Sequence, residues 1–346
     1  MISLEQTRAR ALGAFYGLAL GDALGMPTQS LSREQIRDRY CRITALQAAD
    51  GDQPIAPNMP AGAITDDTEQ AILVARRLLA GHGHIEPAAL AQDLIDWEAE
   101  MRAKGSQDLL GPSTKRAIEM ILSGASPEQA GRFGTTNGAA MRIAPIGIAT
   151  AIDDPEYFMG QVVQACQVTH NTGLGIASAA AVAAVVSAGV QGADLPAALE
   201  FGIKAARSGH SRGHWVAGGN IAARILWSRA VCASCNADSL PDVIYDVIGT
   251  SVASQESVVA AFALAHAVAE GQLEAYPALG VAASLGGDTD TIAAMLGAML
   301  GATHGVEVWP LEAIAQIKAV NALDLESLTE QLLALRSAGA AAAARP

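Results

Sequence analysis

The stretch NTGLGIASAAAVAAVVSAGVQGA, residues 171–193, carries no charged side chain. It is long enough to span a bilayer, but its many alanine, serine and glycine residues make it a weak membrane segment on transfer scales. The stretch therefore predicts a buried, tightly packed helix, and we expect no membrane partner.

Helical patterning continues on both sides of this stretch. Apolar positions recur at three- and four-residue spacing, and convincing period-two strands are absent. The patterned segments are residues 7–20, 69–79, 87–102, 113–122, 157–169, 175–188, 195–206, 219–230, 241–248, 257–269 and 291–302. The sequence predicts an all-α fold: one compact multi-helix domain over residues 1–336, followed by a disordered tail over residues 337–346.

Composition narrows the class of protein further. The 346 residues carry a net charge of −13, which disfavours binding to nucleic-acid phosphates. Cys232 and Cys235 form a Cys-x-x-Cys pair, but no second pair or nearby histidine completes a zinc site. With no evident targeting signal and no predicted disulfide, we expect a cytoplasmic protein.

Two short acidic clusters carry the chemical signal. They read Thr65-Asp66-Asp67-Thr68, after a Pro- and Gly-rich loop at residues 48–63, and Asp288-Thr289-Asp290-Thr291. Uncompensated carboxylates in such apolar surroundings are costly to desolvate, so a cation is expected between them. Brought together, four carboxylates and the threonine hydroxyls form an all-oxygen cage that suits two divalent cations. Alternatively, each cluster simply caps a helix, because acidic residues favour helix N-termini.

The chain resembles the ADP-ribosylglycohydrolase family over about residues 12–305. The resemblance rests on five motifs in order: GLALGDALG at 17–25, ITDDT at 64–68, TNGAAMR at 136–142, THN at 169–171 and GGDTDT at 286–291. Each motif alone is weak, but their order and combination are specific.

The resemblance implies a binuclear metal cleft with two Mg²⁺ or Mn²⁺ ions, in which the bond between a ribose anomeric carbon and its substituent is hydrolysed. The implied substrate is an ADP-ribosylated protein or a small ribosyl conjugate. The implied metal ligands are Thr65, Asp66 and Asp67 on one side, and Asp288, Asp290 and Thr291 on the other. Asn137 and Gly138 fall in the ribose and phosphate pocket, and His170 matches a pocket histidine.

The chemistry of glycoside hydrolysis adds the catalytic candidates. A bound water must lose a proton, and either Asp67 or Asp290 can accept it. Gly286 and Gly287 allow close approach of a ligand to the backbone. His170 is equally well explained as a packed core or capping histidine, and Asp22 is expected to brace loop amides rather than to act as a catalytic acid.

Gln29 departs from the family pattern, because many members carry glutamate at this point. An amide can bind a cation or a hydroxyl, but it cannot act as a general base. Two alternatives therefore stay open beside ADP-ribosyl hydrolysis. The chain could hydrolyse small N-ribosides such as nucleosides, or it could bind ADP-ribose or a nucleotide without turnover.

Overall fold

The computed structural model describes residues 2–103 and 110–343, and across these ranges it contains helices, loops and two isolated β-bridges but no strand. The helices are α1 Leu4–Gly25, α2 Arg33–Tyr40, α3 Asp66–Ala80, α4 Pro87–Ala103, α5 Pro112–Leu122, α6 Pro127–Ala130, α7 Gly138–Met141, α8 Ala144–Ala149, α9 Pro155–Cys166, α10 Gly173–Val190, α11 Leu195–Gly209, α12 Ile221–Cys232, α13 Leu240–Val243, α14 Ser254–Ala269, α15 Ala275–Ala282, α16 Thr289–His304, α17 Leu311–Asn321 and α18 Leu325–Ala343. The all-α fold predicted from the sequence is confirmed.

Helix α10 forms the centre of the core. Every one of its residues is buried, and it packs against α8, α11 and α16. By length and hydropathy it is the one described helix that could cross a membrane, but the surrounding helices cover it completely. The prediction of a buried core helix from residues 171–193 is therefore confirmed.

Helices α1 and α16 are packed backbone to backbone. The contact is lined by glycines spaced four residues apart, which are Gly13, Gly17, Gly21 and Gly25 on α1 and Gly297 and Gly301 on α16. A Cβ atom on Gly21 would lie 2.0 Å from the carbonyl oxygen of Ala293, and one on Gly25 would lie 2.3 Å from Cα of Asp290. Only glycine fits at these positions, and the contact holds the end of α1 against the start of α16.

The predicted helical segments each overlap a helix of the structure, and the loop that delivers the first acidic cluster is also found, because no helix lies between Tyr40 and Asp66. Helices α2, α6, α7, α8, α15, α17 and α18 lie outside the predicted segments. In α2 only Ile36 is buried, so its sequence shows no apolar period.

Helix α18 continues to Ala343, into the stretch 337–346 for which a disordered tail is expected, and that tail stays a prediction. The physical reason for the continued helix is the alanine run, because alanine has the highest helix propensity and extends a helix that has already begun. Residues 344–346 lie outside the described ranges, and the domain boundary at residue 336 stays a prediction.

Candidate active site

Asp22 fixes the first acidic cluster in place. Its side chain is fully buried at the end of α1 and accepts hydrogen bonds from the backbone and hydroxyl of Thr65 at 3.0 and 2.7 Å. It also accepts from the backbone and hydroxyl of Thr68. Thr65 occupies the N-cap position of α3, yet its own side chain makes no capping bond there. Asp22 therefore caps α3 from another helix, which is the bracing role expected for it.

The two acidic clusters meet at Asp67. One carboxylate oxygen of Asp67, Oδ2, accepts hydrogen bonds from the hydroxyls of Thr65 and Thr291, each at 3.3 Å. The other oxygen, Oδ1, is buried and has no hydrogen-bond donor within the described part of the chain. Because Thr291 lies in the first turn of α16, this contact joins the start of α3 to the start of α16.

The electrostatics of Asp67 reflect a concentration of negative charge. Its pKa is raised well above the usual range, first by burial and then by the charges of Asp290, Asp66, Asp22 and Asp288. An aspartate in such surroundings holds its proton unless a cation offsets the repulsion. The structure thus brings together the carboxylates that the sequence suggested would converge.

Asp288 is held by the predicted pocket residue Asn137. The Nδ2 group of Asn137 donates to Oδ2 of Asp288, and it also donates to the Ser257 hydroxyl at 2.9 Å. Burial raises the pKa of Asp288 to about 6, although the hydrogen bonds from Asn137 and Thr291 act in the opposite direction. Asn137 therefore lies beside the second acidic cluster, more than a hundred residues away in sequence.

Gly286 and Gly287 have a structural reason to be glycine. Both have positive φ angles, +90° and +80°, which favour glycine strongly. A Cβ atom on Gly286 would lie 2.9 Å from the backbone nitrogen of Arg33, and one on Gly287 would lie 2.4 Å from the carbonyl oxygen of Thr250. Backbone conformation and packing therefore require these glycines, and their predicted role toward a ligand stays a prediction.

His170 lies against Gly138. A Cβ atom on Gly138 would be 3.0 Å from Cε1 of His170. The ring is fully buried, with Nδ1 at 2.8 Å from the Thr169 hydroxyl and Nε2 at 3.0 Å from the Thr136 hydroxyl. Burial, with the charge of Arg142, lowers the pKa of His170 well below its usual range. His170 is therefore neutral near pH 7 and orients hydroxyls beside Asn137 and Gly138.

Arg142 links the two halves of the site, and its role was missed from the sequence. Its guanidinium is almost fully buried and donates to Oε1 of Gln70 and to the hydroxyl of Thr169, both at 2.6 Å. Gln70 in turn donates to Asp66 at 2.8 Å, and Thr169 contacts His170. A continuous chain of hydrogen bonds thus runs from the first acidic cluster to the pocket histidine.

Sequence signals for this network were present but weak. Arg142 closes the TNGAAMR motif inside an apolar region, and Gln70 follows Asp66 by four residues on the same helix. Residues at that spacing face the same way. The contact between Gln70 and Arg142, which lies on another segment of the chain, is a property of the tertiary fold.

Gln29 lies beside the second acidic cluster. The side chain is 7% exposed, and its Nε2 group has no hydrogen-bond acceptor among the residues that the structure describes. The following residue, Ser30, donates its backbone N–H to the carbonyl of Gly287 at 2.7 Å. A buried amide donor without a partner is consistent with the predicted substrate contact.

The donor set around Asp67 suits hard cations, although the ligand geometry of a metal centre is not formed. Over residues 2–103 and 110–343, no three His, Cys, Asp or Glu side chains are arranged to hold one ion. The predicted ligands also include the hydroxyls of Thr65 and Thr291, and these two do converge on Asp67. Burying several carboxylates, one of which has an oxygen without a hydrogen-bond donor, is costly unless positive charge lies beside them. These oxygen atoms therefore fit a divalent cation.

His210 and His214 lie beyond the end of α11, and the Cys-x-x-Cys pair lies at and beyond the end of α12. Cys232 and Cys235 are both free thiols.

The all-helical fold and the paired acidic helix starts agree with the resemblance drawn from the sequence motifs. The chain belongs to the ADP-ribosylglycohydrolase family, whose sequence profile matches residues 3–341. It is therefore an enzyme of that family, with ADP-ribosyl hydrolase activity in the broad sense.

Individual relatives differ in how much of the chain they match. An uncharacterized protein of Escherichia coli (strain K12), YegU, is 31% identical over 94% of this chain and 97% of its own length. The ADP-ribosyl-[dinitrogen reductase] glycohydrolase of Rhodospirillum rubrum is 32% identical over 47% of this chain and 51% of its own. The ADP-ribosylarginine hydrolase Tri1 of Pseudomonas putida (strain GB-1) is 27% identical, covering 90% of this chain and 75% of Tri1.

A solved structure confirms the fold. The chain is similar to an ADP-ribosylglycohydrolase-related protein complex with a TM-score of 0.68 and 24% sequence identity, over 96% of this chain and 99% of that one.

Proposed function

We propose that this protein hydrolyses the glycosidic bond between ADP-ribose and an acceptor, and that the reaction depends on two divalent cations. The observation that carries the proposal is the convergence at Asp67. There, hydroxyls from both clusters bind one carboxylate, and four other aspartates impose their charge on it.

The proposed ligands of the two cations are Thr65, Asp66, Asp67, Asp288, Asp290 and Thr291. All of them offer oxygen, which Mg²⁺ and Mn²⁺ prefer. When bound, such cations lower the pKa of a coordinated water and orient the hydroxyls of a ribose.

The residues of the chain supply positioning and proton transfer. The Asn137 amide donates to Asp288, and neutral His170 lies against Gly138, where an added side chain would meet the imidazole. Asp67 is the first candidate base, because its buried Oδ1 atom has no hydrogen-bond donor among the described residues and can accept a proton there. Asp290 is the second candidate base.

The proposed acceptor is the arginine side chain of a modified protein. One relative is named as an ADP-ribosylarginine hydrolase, and another is named as a glycohydrolase of ADP-ribosyl-[dinitrogen reductase], which is a modified protein.

Gln29 supports a second candidate, the hydrolysis of small N-ribosides. Its buried amide carries no negative charge that would attract a guanidinium, and its free Nε2 donor suits a neutral leaving group with an acceptor atom.

A cytoplasmic location also stays a prediction.

The test is a substrate panel with Mg²⁺ present. Arginine-linked ADP-ribose, an ADP-ribosylated protein and a nucleoside are incubated with the enzyme, and released ADP-ribose or free base is quantified. Asp67→Asn should abolish turnover, whereas Asp153→Asn should not, because Asp153 is exposed and contacts Gln191 just beyond the far end of α10.

Each outcome separates one account from the others. Preferential release of base from the nucleoside favours the second candidate. Tight ADP-ribose binding without product from any substrate identifies a non-catalytic binding relative. Calorimetry that detects no Mg²⁺ or Mn²⁺ binding contradicts the metal-dependent reaction.

A further inference from the structure

Two arginines lie over one exposed aromatic ring close to the candidate site. The guanidinium carbon of Arg116, on α5, is 3.9 Å from the centroid of the Phe133 ring, and that of Arg132 is 5.1 Å from it. Phe133 is 40% exposed. These three residues are called the arginine–phenylalanine cluster below.

Both positive charges are available to a ligand. Arg116 forms no ion pair or hydrogen bond with any residue that the structure describes, and Arg132 donates only to Oε1 of Gln129, at 3.2 Å. In a chain with a net charge of −13, two adjacent cations that avoid carboxylates are unusual. Contact with the ring holds the guanidinium groups in place without neutralising them.

The cluster is joined to the site through the chain itself. Phe133 precedes Asn137 by four residues, and four residues span at most about 14 Å. Asn137 is the residue whose amide donates to Asp288. The cluster therefore lies within reach of a ligand that also contacts the ribose pocket.

Helix α5 packs directly against the same loop. The Ser113 hydroxyl, in the first turn of α5, accepts hydrogen bonds from the backbone of Thr135 at 3.3 Å and of Thr136 at 3.4 Å. A Cβ atom on Gly138 would lie 3.5 Å from the Thr114 hydroxyl. Arg116 stands within one turn of these contacts, so its position is fixed relative to the pocket.

We propose that Arg116 and Arg132 bind the diphosphate of the ADP-ribosyl group, which rests on the function proposed above. The planar guanidinium fork matches phosphate oxygens in a bidentate manner. A diphosphate also needs positive charge near the aspartates, which would otherwise repel it. Within the family motifs Arg142 is the basic residue, and its guanidinium is buried and already engaged by Gln70 and Thr169.

The test measures ADP-ribose binding by calorimetry in the presence of Mg²⁺, together with hydrolysis of ADP-ribosylarginine. We expect Arg116→Gln and Arg132→Gln each to weaken ADP-ribose binding about tenfold, because each removes charge-assisted hydrogen bonds to phosphate. We expect Arg116→Lys to fall between the wild type and Arg116→Gln, since lysine keeps the charge but loses the fork. In hydrolysis, KM should rise while kcat is largely retained.

The matched control is Arg8→Gln. Arg8 is exposed and lies 14 residues before Asp22 on α1, about 21 Å along the helix. The Arg8→Gln protein loses the same single positive charge as each cluster variant, and it should bind ADP-ribose like the wild type. Thermal melting checks that the substituted proteins are folded, which is expected because both cluster arginines are exposed.

The outcomes separate this inference from the function on which it rests. Normal ADP-ribose affinity in the Arg116→Gln/Arg132→Gln protein overturns the inference and leaves the hydrolase proposal standing. Loss of affinity for an ADP-ribosylated protein alone, with free ADP-ribose bound normally, also overturns it, because the arginines then contact the protein acceptor. A wild-type protein that neither binds ADP-ribose nor releases it contradicts both.

Discussion

The contact between α1 and α16 predicts a large effect of one methyl group at Gly21. In Gly21→Ala the new Cβ atom would lie 2.0 Å from the carbonyl oxygen of Ala293, 2.3 Å from its carbonyl carbon and 2.6 Å from the nitrogen of Ala294. All three are backbone atoms of a buried helix, so none can rotate away. Non-bonded carbon atoms prefer separations of about 3.5–4.0 Å, so the helices must part by about 1.5 Å.

The expected cost follows from two opposing terms. Overpacking of a rigid core costs about 1–3 kcal/mol and occasionally more, and a backbone contact belongs at the upper end. Replacing glycine by alanine inside a helix returns about 1 kcal/mol. We therefore expect the free energy of unfolding to fall by about 2 kcal/mol.

Activity should suffer more than stability. One turn farther along the same contact, Gly25 touches the backbone of Asp290, so separating the helices displaces Asp290 from Asp67. A misplacement of about 1 Å can cost on the order of a hundredfold in rate. Urea unfolding followed by circular dichroism gives the stability, and release of ADP-ribose gives the rate.

Gly160→Ala is the matched control. Gly160 lies within α9, and no atom is within 4 Å of an added Cβ there. This variant should be more stable than the wild type by about 0.5–1 kcal/mol and fully active. If Gly21→Ala behaves like Gly160→Ala, the helices can separate freely and the account of how the site is held together is wrong.

Four further predictions concern the site itself. Asp22→Asn should lower the free energy of unfolding by about 2–4 kcal/mol, because buried hydrogen bonds to a carboxylate are lost; a urea midpoint close to that of the wild type would contradict this. Arg142→Met should lower the free energy of unfolding by about 2 kcal/mol by leaving the Gln70 amide and the Thr169 hydroxyl without their buried donor, and Arg142→Lys should recover part of it in the same assay. Gln29→Glu should raise kcat/KM for arginine-linked ADP-ribose relative to a nucleoside, since it adds a base and a charge that attracts guanidinium; equal ratios would remove Gln29 from specificity. Without metal, the unfolding free energy should fall as pH rises through about 6, because Asp288 and Asp22 bind more protons in the folded state than in the unfolded state, and calorimetry should show Mg²⁺ binding that tightens over the same range.

The parts of the fold that the sequence predicts are those set by local pattern. The uncharged run at residues 171–193 could only be stable when buried, and α10 is buried throughout. The acidic motifs each start a helix, as a capping pattern suggests. By contrast, α2 is polar around most of its surface, and its place in the fold is set by Ile36 and the loop beside it rather than by its own period.

The parts of the site that the sequence does not predict are long-range pairings. Gly17, Gly21 and Gly25 recur every four residues in the sequence, but nothing in that spacing identifies α16 as the partner. Likewise, Arg142 contacts Gln70 across a separation of 72 residues. Such contacts depend on how the helices assemble, so their chemistry becomes visible only in three dimensions.

The pairing of α1 with α16 also has a consequence for biosynthesis. Asp22 is translated well before Asp290, and the glycine face of α1 that receives α16 has no partner until α16 has been made. A nascent chain on the ribosome therefore lacks half of the proposed cation ligands until that point. On the function proposed above, such a chain stays inactive until α16 has been made and packed against α1.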